Sequence, residues 1–272
     1  MSQQIRIGLV LSAGGLRGAG HVGVLRELLR CGVPIDVLVG VSAGAVIAAY
    51  YAAVGLDLDA LIEDAEAFRA RHLLTHSLVV RLPHRFGASL QPRCGIIPER
   101  LRQLESSSFD RLHHGIGSLG IVCHDVDARR PCYFRSGLEG GPALPDVVKA
   151  SASMPGLFPA IDVACGGKHY RLTDGGVSDA VPVAFARGAG LGATHVIVSD
   201  CRWIGGVPAT DRTTVWIRPR MAATGTLWSP RRGLLNAVRN GEAAVTESIV
   251  ARIREWLAKD AREAAPLATP LG

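Results

Sequence analysis

One serine stands in a setting that suits a catalytic nucleophile. Ser42 is the centre of a Gly-x-Ser-x-Gly motif formed with Gly40 and Gly44. Residues 35–39 are rich in β-branched side chains and predict a strand, whereas the small helix formers of 45–53 predict a helix. A serine on such a strand-to-helix turn exposes its hydroxyl above the sheet, and the glycines let strand and helix approach closely. The motif also arises by chance in glycine-rich loops, but this context favours covalent catalysis by Ser42.

A second glycine-rich turn follows the first predicted strand. Residues 5–11 are mostly apolar, as in an inner strand, and a helix is predicted from Ala19 to Cys31. The turn between them contains Gly14 and Gly15, whose backbone can present N–H groups to an oxyanion or a phosphate. Residues 18–23 fit the letters of the dinucleotide fingerprint Gly-x-Gly-x-x-Gly. They lie inside the predicted helix instead of at the strand end, so nucleotide binding is disfavoured.

An acidic partner for Ser42 is predicted much further along the chain. Asp174 leaves the end of a predicted strand and enters a turn formed by Gly175 and Gly176. The alternative is an aspartate that only hydrogen-bonds within its own turn. A histidine of a Ser-His-Asp triad would be expected after the acid, at the carboxyl ends of the strands. Only His195 follows Asp174, and it opens a predicted strand. A Ser-Asp pair is therefore the simpler interpretation, with a Ser-His-Asp esterase or thioesterase as the alternative.

The composition limits the class of protein. A chain of 272 residues with 48% hydrophobic residues can bury one large core, so a single domain over residues 1–272 is predicted. A long helix over about 242–261 and a flexible tail at 264–272 are expected to end it. The net charge is +6, but aromatic residues make up only 5%, which does not favour nucleic-acid binding.

The cysteines and the N-terminal sequence bear on location and metal binding. Six cysteines form no Cys-x-x-Cys pair, and no signal segment precedes Ile5, so reduced thiols and a cytoplasmic location are predicted. Cys123, His124 and Asp125 are adjacent, but neighbouring residues on a strand point to opposite faces. A metal site is therefore not expected there.

One segment has an unusual charge pattern. Residues 67–98 contain no Asp or Glu, but they carry five arginines interleaved with leucine, valine and phenylalanine. A surface connection with solvated arginines and a mobile cap that touches anionic lipid explain this pattern equally well. The second interpretation predicts a protein that is peripheral to a membrane.

Taken together, these motifs resemble the patatin-like phospholipase family. The resemblance spans roughly residues 5–200, and it rests on the ordered segments 13–18, 40–44, 150–159 and 174–176. It implies a three-layer α/β/α fold around a mainly parallel sheet. It also implies a serine lipid acyl hydrolase that cleaves lipid esters with a Ser-Asp dyad and needs no metal or cofactor. A non-catalytic protein that keeps the fold to bind an acyl chain is a further alternative.

The resemblance also implies roles for individual residues. Ser42 corresponds to the nucleophile and Asp174 to the general base. The remaining positions form the oxyanion loop, the nucleophile elbow and the turn after the acid: Gly14, Gly15 and the Arg17 amide; Gly40 and Gly44; Gly175 and Gly176. The family's glycine loop usually opens with glycine where this chain has Ala13.

Overall fold

The structure, a computed structural model, describes residues 4–83, 87, 89–206, 211–221, 224–230 and 232–264. Its strands are β1 (Ile7–Leu11), β2 (Val37–Val41), β3 (Ser118–Asp125), β4 (Arg130–Arg135), β5 (Ile161–Cys165), β6 (Lys168–Asp174), β7 (His195–Ser199) and β8 (Thr214–Ile217). Its α-helices are α1 (Ala19–Arg30), α2 (Ala43–Ala49), α3 (Leu58–Ala67), α4 (Ala70–Val79), α5 (Ile97–Glu105), α6 (Leu144–Ser151), α7 (Val183–Arg187), α8 (Gly233–Ala243) and α9 (Glu247–Ala264).

The eight strands form a sheet with the order β5-β6-β3-β2-β1-β7-β8, and β4 pairs with β3. The pairs β1-β2, β1-β7, β2-β3 and β7-β8 are parallel. Alternate side chains of the inner strands enter different cores: Leu9 of β1 packs with α1, whereas Val10 packs on the side of α7. The predicted fold class is confirmed: a mostly parallel central sheet lies between layers of helices.

The register of the sheet brings two distant segments together. β3 pairs in parallel with β2 along its first part and in antiparallel with β6 at its end, while β4 occupies the opposite edge. The last residue of β2, Val41, pairs with Val122, and the last residue of β6, Asp174, pairs with Cys123. β2 and β6 therefore run toward each other along one edge of β3 and end at neighbouring positions.

The glycines at 18–23 serve helix packing. A Cβ at Gly20 would overlap the Met221 side chain, and a Cβ at Gly23 would overlap the Val238 carbonyl oxygen of α8. On the other helix, a Cβ at Gly241 would overlap the Gly20 carbonyl oxygen. Glycine at 23 and 241 therefore lets α1 and α8 approach closely, and glycine at 20 leaves room for Met221, so packing explains a glycine pattern that resembles a nucleotide fingerprint.

The C-terminal region differs from the sequence prediction. The predicted long C-terminal helix is present, but its bounds differ from 242–261: α9 runs from Glu247 to Ala264, and residue 242 belongs to α8, which ends at Ala243. Thr246 marks the restart: its carbonyl oxygen accepts the Val250 amide, and its hydroxyl contacts Ser248 at 2.9 Å. Ala264 ends α9, and the rest of the tail predicted at 264–272 lies outside the described residues. No helix in the described ranges is long and apolar enough to cross a membrane.

The arginine-rich segment 67–98 contains helix α4 and a short 3-10 turn (Gln91–Cys94). Arg81 donates a 2.9 Å hydrogen bond to the Gly156 carbonyl oxygen, and the His76 ring lies 5.8 Å from the Phe158 ring. These contacts place α4 against the loop that follows α6. Arg85 and Phe86, which belong to the predicted cap, lie outside the described residues.

Candidate active site

Ser42 occupies the sharp turn between β2 and α2. Its backbone angles are φ 56° and ψ −122°, a region that costs a residue with a side chain about 1–3 kcal/mol. A Cβ at Gly40 would overlap the Gly44 carbonyl oxygen, and a Cβ at Gly44 would overlap the Leu11 carbonyl oxygen. The two glycines therefore let α2 pack directly on the strands, and they keep the serine on a strained turn.

A hydroxyl from α6 holds this strained turn. The Ser42 amide donates to Ser151 Oγ at 3.0 Å, and the Ser151 hydroxyl donates to the Val122 carbonyl oxygen at 2.6 Å. Ser151 is fully buried, so water does not compete for either bond. The sequence pattern assigned no role to Ser151. The only signal was its place in the segment 150–159.

Ser42 and Asp174 are in direct contact. The Ser42 hydroxyl donates to Asp174 Oδ2 at 2.6 Å, and the other carboxylate oxygen accepts the Gly176 amide at 2.8 Å. The Asp174 amide donates to the Ser153 carbonyl oxygen at 3.1 Å. A Cβ at Gly175 would overlap the Val122 carbonyl oxygen, so the turn after the acid requires glycine at that position.

The environment of Asp174 favours the protonated carboxyl. Ser42 and Asp174 are each only 5% exposed, and burial raises the pKa of Asp174 above its ordinary value. The hydrogen bonds from Ser42 and Gly176 act in the opposite direction. No Lys, Arg or His of the described chain forms an ion pair with this carboxylate. A carboxylate with increased proton affinity beside a serine hydroxyl has the properties of a general base.

The glycine loop lies against this pair. A Cβ at Gly176 would be 2.9 Å from the Ala13 Cβ, which brings the loop to the turn that binds Asp174. Gly15 has φ +56°, and a Cβ there would overlap the Thr226 carbonyl oxygen. Within the described residues, neither the Gly14 nor the Gly15 amide donates a hydrogen bond to the protein. Ala13 does not have a positive φ, so alanine fits this position without strain.

The Arg17 amide does not have the role in the oxyanion loop that was predicted for it. Its amide donates to the Gly14 carbonyl oxygen at 3.2 Å, so this N–H is engaged within the turn and is not free for an oxyanion. Its buried guanidinium donates to the carbonyl oxygens of Cys201, Met221 and Thr224, each at 2.9 Å. Arg17 thus ties the glycine loop to the loops that follow β7 and β8.

The contacts of two histidines, His21 and His195, bear on the choice between a dyad and a triad. His21 is fully buried between Ser199 Oγ (2.7 Å) and the Ser12 carbonyl oxygen (2.9 Å), and burial lowers its pKa to about 4. His195 pairs with Ile7 at the amino end of β7, and its ring lies 4.8 Å from that of Trp256. Neither Ser42 nor Asp174 has a hydrogen bond to a histidine in the part of the chain that is described.

Cys123, the central candidate among the three adjacent residues Cys123, His124 and Asp125, belongs to the core. Cys123 is fully buried, and its thiol donates to the Val147 carbonyl oxygen at 3.3 Å. Burial raises the pKa of this thiol well above its ordinary value, which opposes the thiolate that a metal requires. The described residues contain no group of three or more His, Cys, Asp or Glu that could hold a metal ion.

The layered sheet and the serine elbow define a class of α/β proteins with a serine between a strand and a helix. One solved structure of this architecture, VipD from Legionella pneumophila, aligns with a TM-score of 0.55 and 14% sequence identity. The alignment covers 93% of this chain and 67% of VipD. At this identity the likeness supports the fold alone.

Sequence comparison then identifies the family. The family model described as patatin-like phospholipase matches residues 9–187, so the chain belongs to the patatin-like phospholipase family. A patatin-like phospholipase domain-containing protein of Caenorhabditis elegans is 31% identical over 214 residues, which is 75% of this chain. Lysophospholipase nte1 of Aspergillus fumigatus is 29% identical over 205 residues, or 71% of this chain. The aligned parts are only 14% and 12% of these two relatives.

Proposed function

We propose that this protein is a serine lipid acyl hydrolase that cleaves carboxylic esters of phospholipids or other lipids with a Ser42-Asp174 dyad. Family membership implies lipid acyl hydrolysis, and the names phospholipase and lysophospholipase of its relatives agree. The observation that carries the dyad is the 2.6 Å hydrogen bond from Ser42 Oγ to the buried Asp174 carboxylate. No histidine contacts either side chain within the described chain.

In the proposed reaction, Ser42 Oγ attacks the ester carbonyl carbon while its proton passes to Asp174 Oδ2. The tetrahedral intermediate collapses, and Asp174 returns the proton to the departing alcohol. Water then attacks the acyl-serine as Asp174 accepts a proton from it, the bond from the acyl carbon to Ser42 Oγ breaks, and Asp174 returns the proton to Ser42 Oγ as the fatty acid leaves. The amides of Gly14 and Gly15 are free to donate to the oxyanion, a contribution that is typically worth about 10²–10³ in kcat for one donor.

A fluorophosphonate probe tests the nucleophile. We expect the probe to modify Ser42, as read by peptide mass spectrometry, and Ser42→Ala to abolish both labelling and hydrolysis of p-nitrophenyl esters and phospholipids. A folded protein that the probe does not label would contradict the proposal and would favour an acyl-binding protein.

A histidine variant separates the dyad from a triad. His195→Ala should retain turnover, because His195 lies at the amino end of β7 and Ser42 follows the carboxyl end of β2. Thermal unfolding of the same sample shows whether the variant is folded. Loss of turnover in a folded His195→Ala protein would replace the dyad with a Ser-His-Asp mechanism.

We also propose that the segment 67–98 makes peripheral contact with an anionic membrane. Leu74 and Leu78 of α4 are 47% and 57% exposed and lie one turn apart, and Arg71 lies one turn before Leu74. Apolar and cationic side chains therefore share one helix surface, which suits an anionic leaflet. The test is co-sedimentation with anionic vesicles at low and high salt, with an Arg71→Gln, Arg81→Gln, Arg85→Gln variant. Equal binding of the variant and the wild type would contradict this role.

A further inference from the structure

A second group of exposed apolar side chains surrounds the glycine loop. We call it the tryptophan face. Its members are Val177 (53% exposed), Trp203 (61%), Ile204 (83%), Leu227 (39%) and Trp228 (65%). Single exposed apolar side chains are common, but five large ones on neighbouring loops form a group of the kind that marks an interaction surface.

The loops after β7 and β8, which carry four members of the tryptophan face, are both bound to Leu16 and Arg17 of the glycine loop. The Arg17 guanidinium lies 5.0 Å from the Trp203 ring and also donates to the Thr224 carbonyl oxygen at 2.9 Å. The Leu16 amide donates to the Thr226 carbonyl oxygen at 2.8 Å. The glycine loop therefore holds the loop after β7 and the loop after β8 beside it.

Val177 extends the surface toward the catalytic pair. It ends the short 3-10 turn Gly175–Val177 that starts directly after Asp174. The Ala13 amide of the glycine loop donates to the Ala180 carbonyl oxygen at 3.0 Å, three residues further on. The exposed apolar side chains are thus distributed around the segment that carries Gly14 and Gly15, close to Ser42.

The charge of this region indicates the chemistry of the partner. The loops after β7 and β8, residues 200–213 and 218–232, contain six arginines and two acidic residues, Asp200 and Asp211. Two of the arginines, Arg202 and Arg218, share Asp200, whereas Arg220 and Arg232 are exposed. Tryptophan prefers the boundary between hydrocarbon and water, and arginine is attracted to anionic headgroups. A lipid surface satisfies both requirements.

We propose that the tryptophan face seats the protein on an anionic phospholipid surface and so presents the Ser42 site to the lipid. The proposal rests on the proposed function, because it assumes that the substrate enters from a membrane. It assigns the principal apolar contact to residues outside the segment 67–98. The full chain carrying Ser42→Ala is the protein to test, because it leaves the vesicles unhydrolysed.

Tryptophan fluorescence with vesicles that contain brominated phosphatidylglycerol reports which surface enters the lipid. Trp256 is buried, Trp216 is only partly exposed, and the segment 67–98 contains no tryptophan. We therefore expect the tryptophan emission to shift to the blue and to be quenched when the protein binds these vesicles. The double variant Trp203→Phe, Trp228→Phe should abolish both changes, whereas its vesicle binding should be preserved, because phenylalanine is also apolar. Vesicle binding without quenching of these two tryptophans would overturn the proposal.

A matched pair of double variants measures the energetic share of each surface. Ile204→Ser with Trp228→Ser should weaken vesicle partitioning by at least about tenfold, the effect of one lost apolar side chain. Leu74→Ser with Leu78→Ser removes two exposed apolar groups (47% and 57%) from α4 and should have a smaller effect. Unchanged unfolding midpoints show that both variants are folded.

Other outcomes would overturn the proposal. A larger loss in the α4 variant would assign the docking to the segment 67–98. A dimer of the Ser42→Ala protein that Ile204→Ser with Trp228→Ser converts to a monomer would show that a second copy covers this face. Because these measurements use protein without Ser42, they stand whether or not the dyad is catalytic. Failure of hydrolysis in the wild type would affect only the proposed function.

Discussion

Two buried carboxylates at the same end of the sheet have opposite properties. Asp174 ends β6 and Asp200 directly follows β7, and they are 5% and 0% exposed. Asp174 contacts the Ser42 hydroxyl and has no cationic partner among the described residues. Asp200 forms ion pairs with two guanidinium groups. One belongs to Arg202, whose Nε lies 2.8 Å from Asp200 Oδ1, and the other belongs to Arg218.

The difference in partners sets the difference in proton affinity. Burial raises the pKa of Asp174, and neutral hydrogen bonds only partly oppose it. Burial acts in the same direction on Asp200, but the hydrogen bonds from Arg202 and Arg218 outweigh it and lower the pKa. The two arginines thus favour the ionised form of Asp200, which binds the loops after β7 and β8 to each other. Asp174 has no cationic partner among the described residues, and its protonated form is favoured by comparison.

The largest expected effect follows from Asp174→Asn. The variant cannot accept the Ser42 proton, so we expect kcat to fall by about 10³-fold or more. The unfolding midpoint at neutral pH should stay equal or rise, because the substitution removes a buried charge without a cationic partner. The control is Asp179→Asn in the same turn, whose carboxylate accepts from the Tyr133 hydroxyl at 2.9 Å. Near wild-type turnover in Asp174→Asn would refute the dyad.

Asp200→Asn should produce the opposite pattern, a loss of stability. Two guanidinium groups lose their shared anion, and we expect the free energy of unfolding to fall by about 3 kcal/mol. Denaturant unfolding measures this change. Asp211→Asn is the matched control, since its ion pair with Arg187 is half-exposed and worth less than about 1 kcal/mol. If Asp200→Asn were as stable as the wild type, Asp200 would not be the anchor of these loops.

Ser151→Ala should have an intermediate effect on catalysis. The variant leaves the Ser42 amide without its buried acceptor, so the strained turn is less well held. We expect kcat to fall about fivefold with KM unchanged, since one lost hydrogen bond is worth about 1 kcal/mol. Ser151→Thr keeps a hydroxyl and should restore activity. Ser153→Ala is the control, because Ser153 contacts Asp174 through its backbone. A change in KM alone would argue against a positioning role.

The smallest effect is a pH dependence that distinguishes the two acids. The proposed dyad needs ionised Asp174, and the raised pKa of this carboxyl should place the acid limb of kcat/KM above the range of an ordinary aspartate. A raised folded-state pKa also means that the folded protein binds more protons than the unfolded chain in that pH window, so stability increases as the pH falls through it. The difference in unfolding midpoint between Asp174→Asn and the wild type should therefore be largest at neutral pH and should decrease as the pH falls. A constant difference would contradict the assigned shift.

Local patterns were enough to predict the fold class and the family, and both are confirmed. The segments 35–44 and 5–18 each encode a strand followed by a glycine turn, and such turns depend on φ values and close contacts within a few residues. The roles of Ser42 and Asp174 stay predictions until the variants are measured. The long C-terminal helix was predicted to start at 242 instead of 247, and α8 was missed, because the break at 244–246 contains neither glycine nor proline, the usual stop signals.

The sequence by itself determined three local features: the serine on its strand-to-helix turn, the glycine loop after β1 and the acid before a double glycine. Each of them depends on residues close together in the chain. Only the tertiary structure decided that β2 and β6 end beside each other on β3, which brings Ser42 to Asp174. It also decided which buried aspartate has arginine partners and which has none. Those outcomes depend on strand register and on contacts between residues far apart in the chain, and no local spacing encodes them.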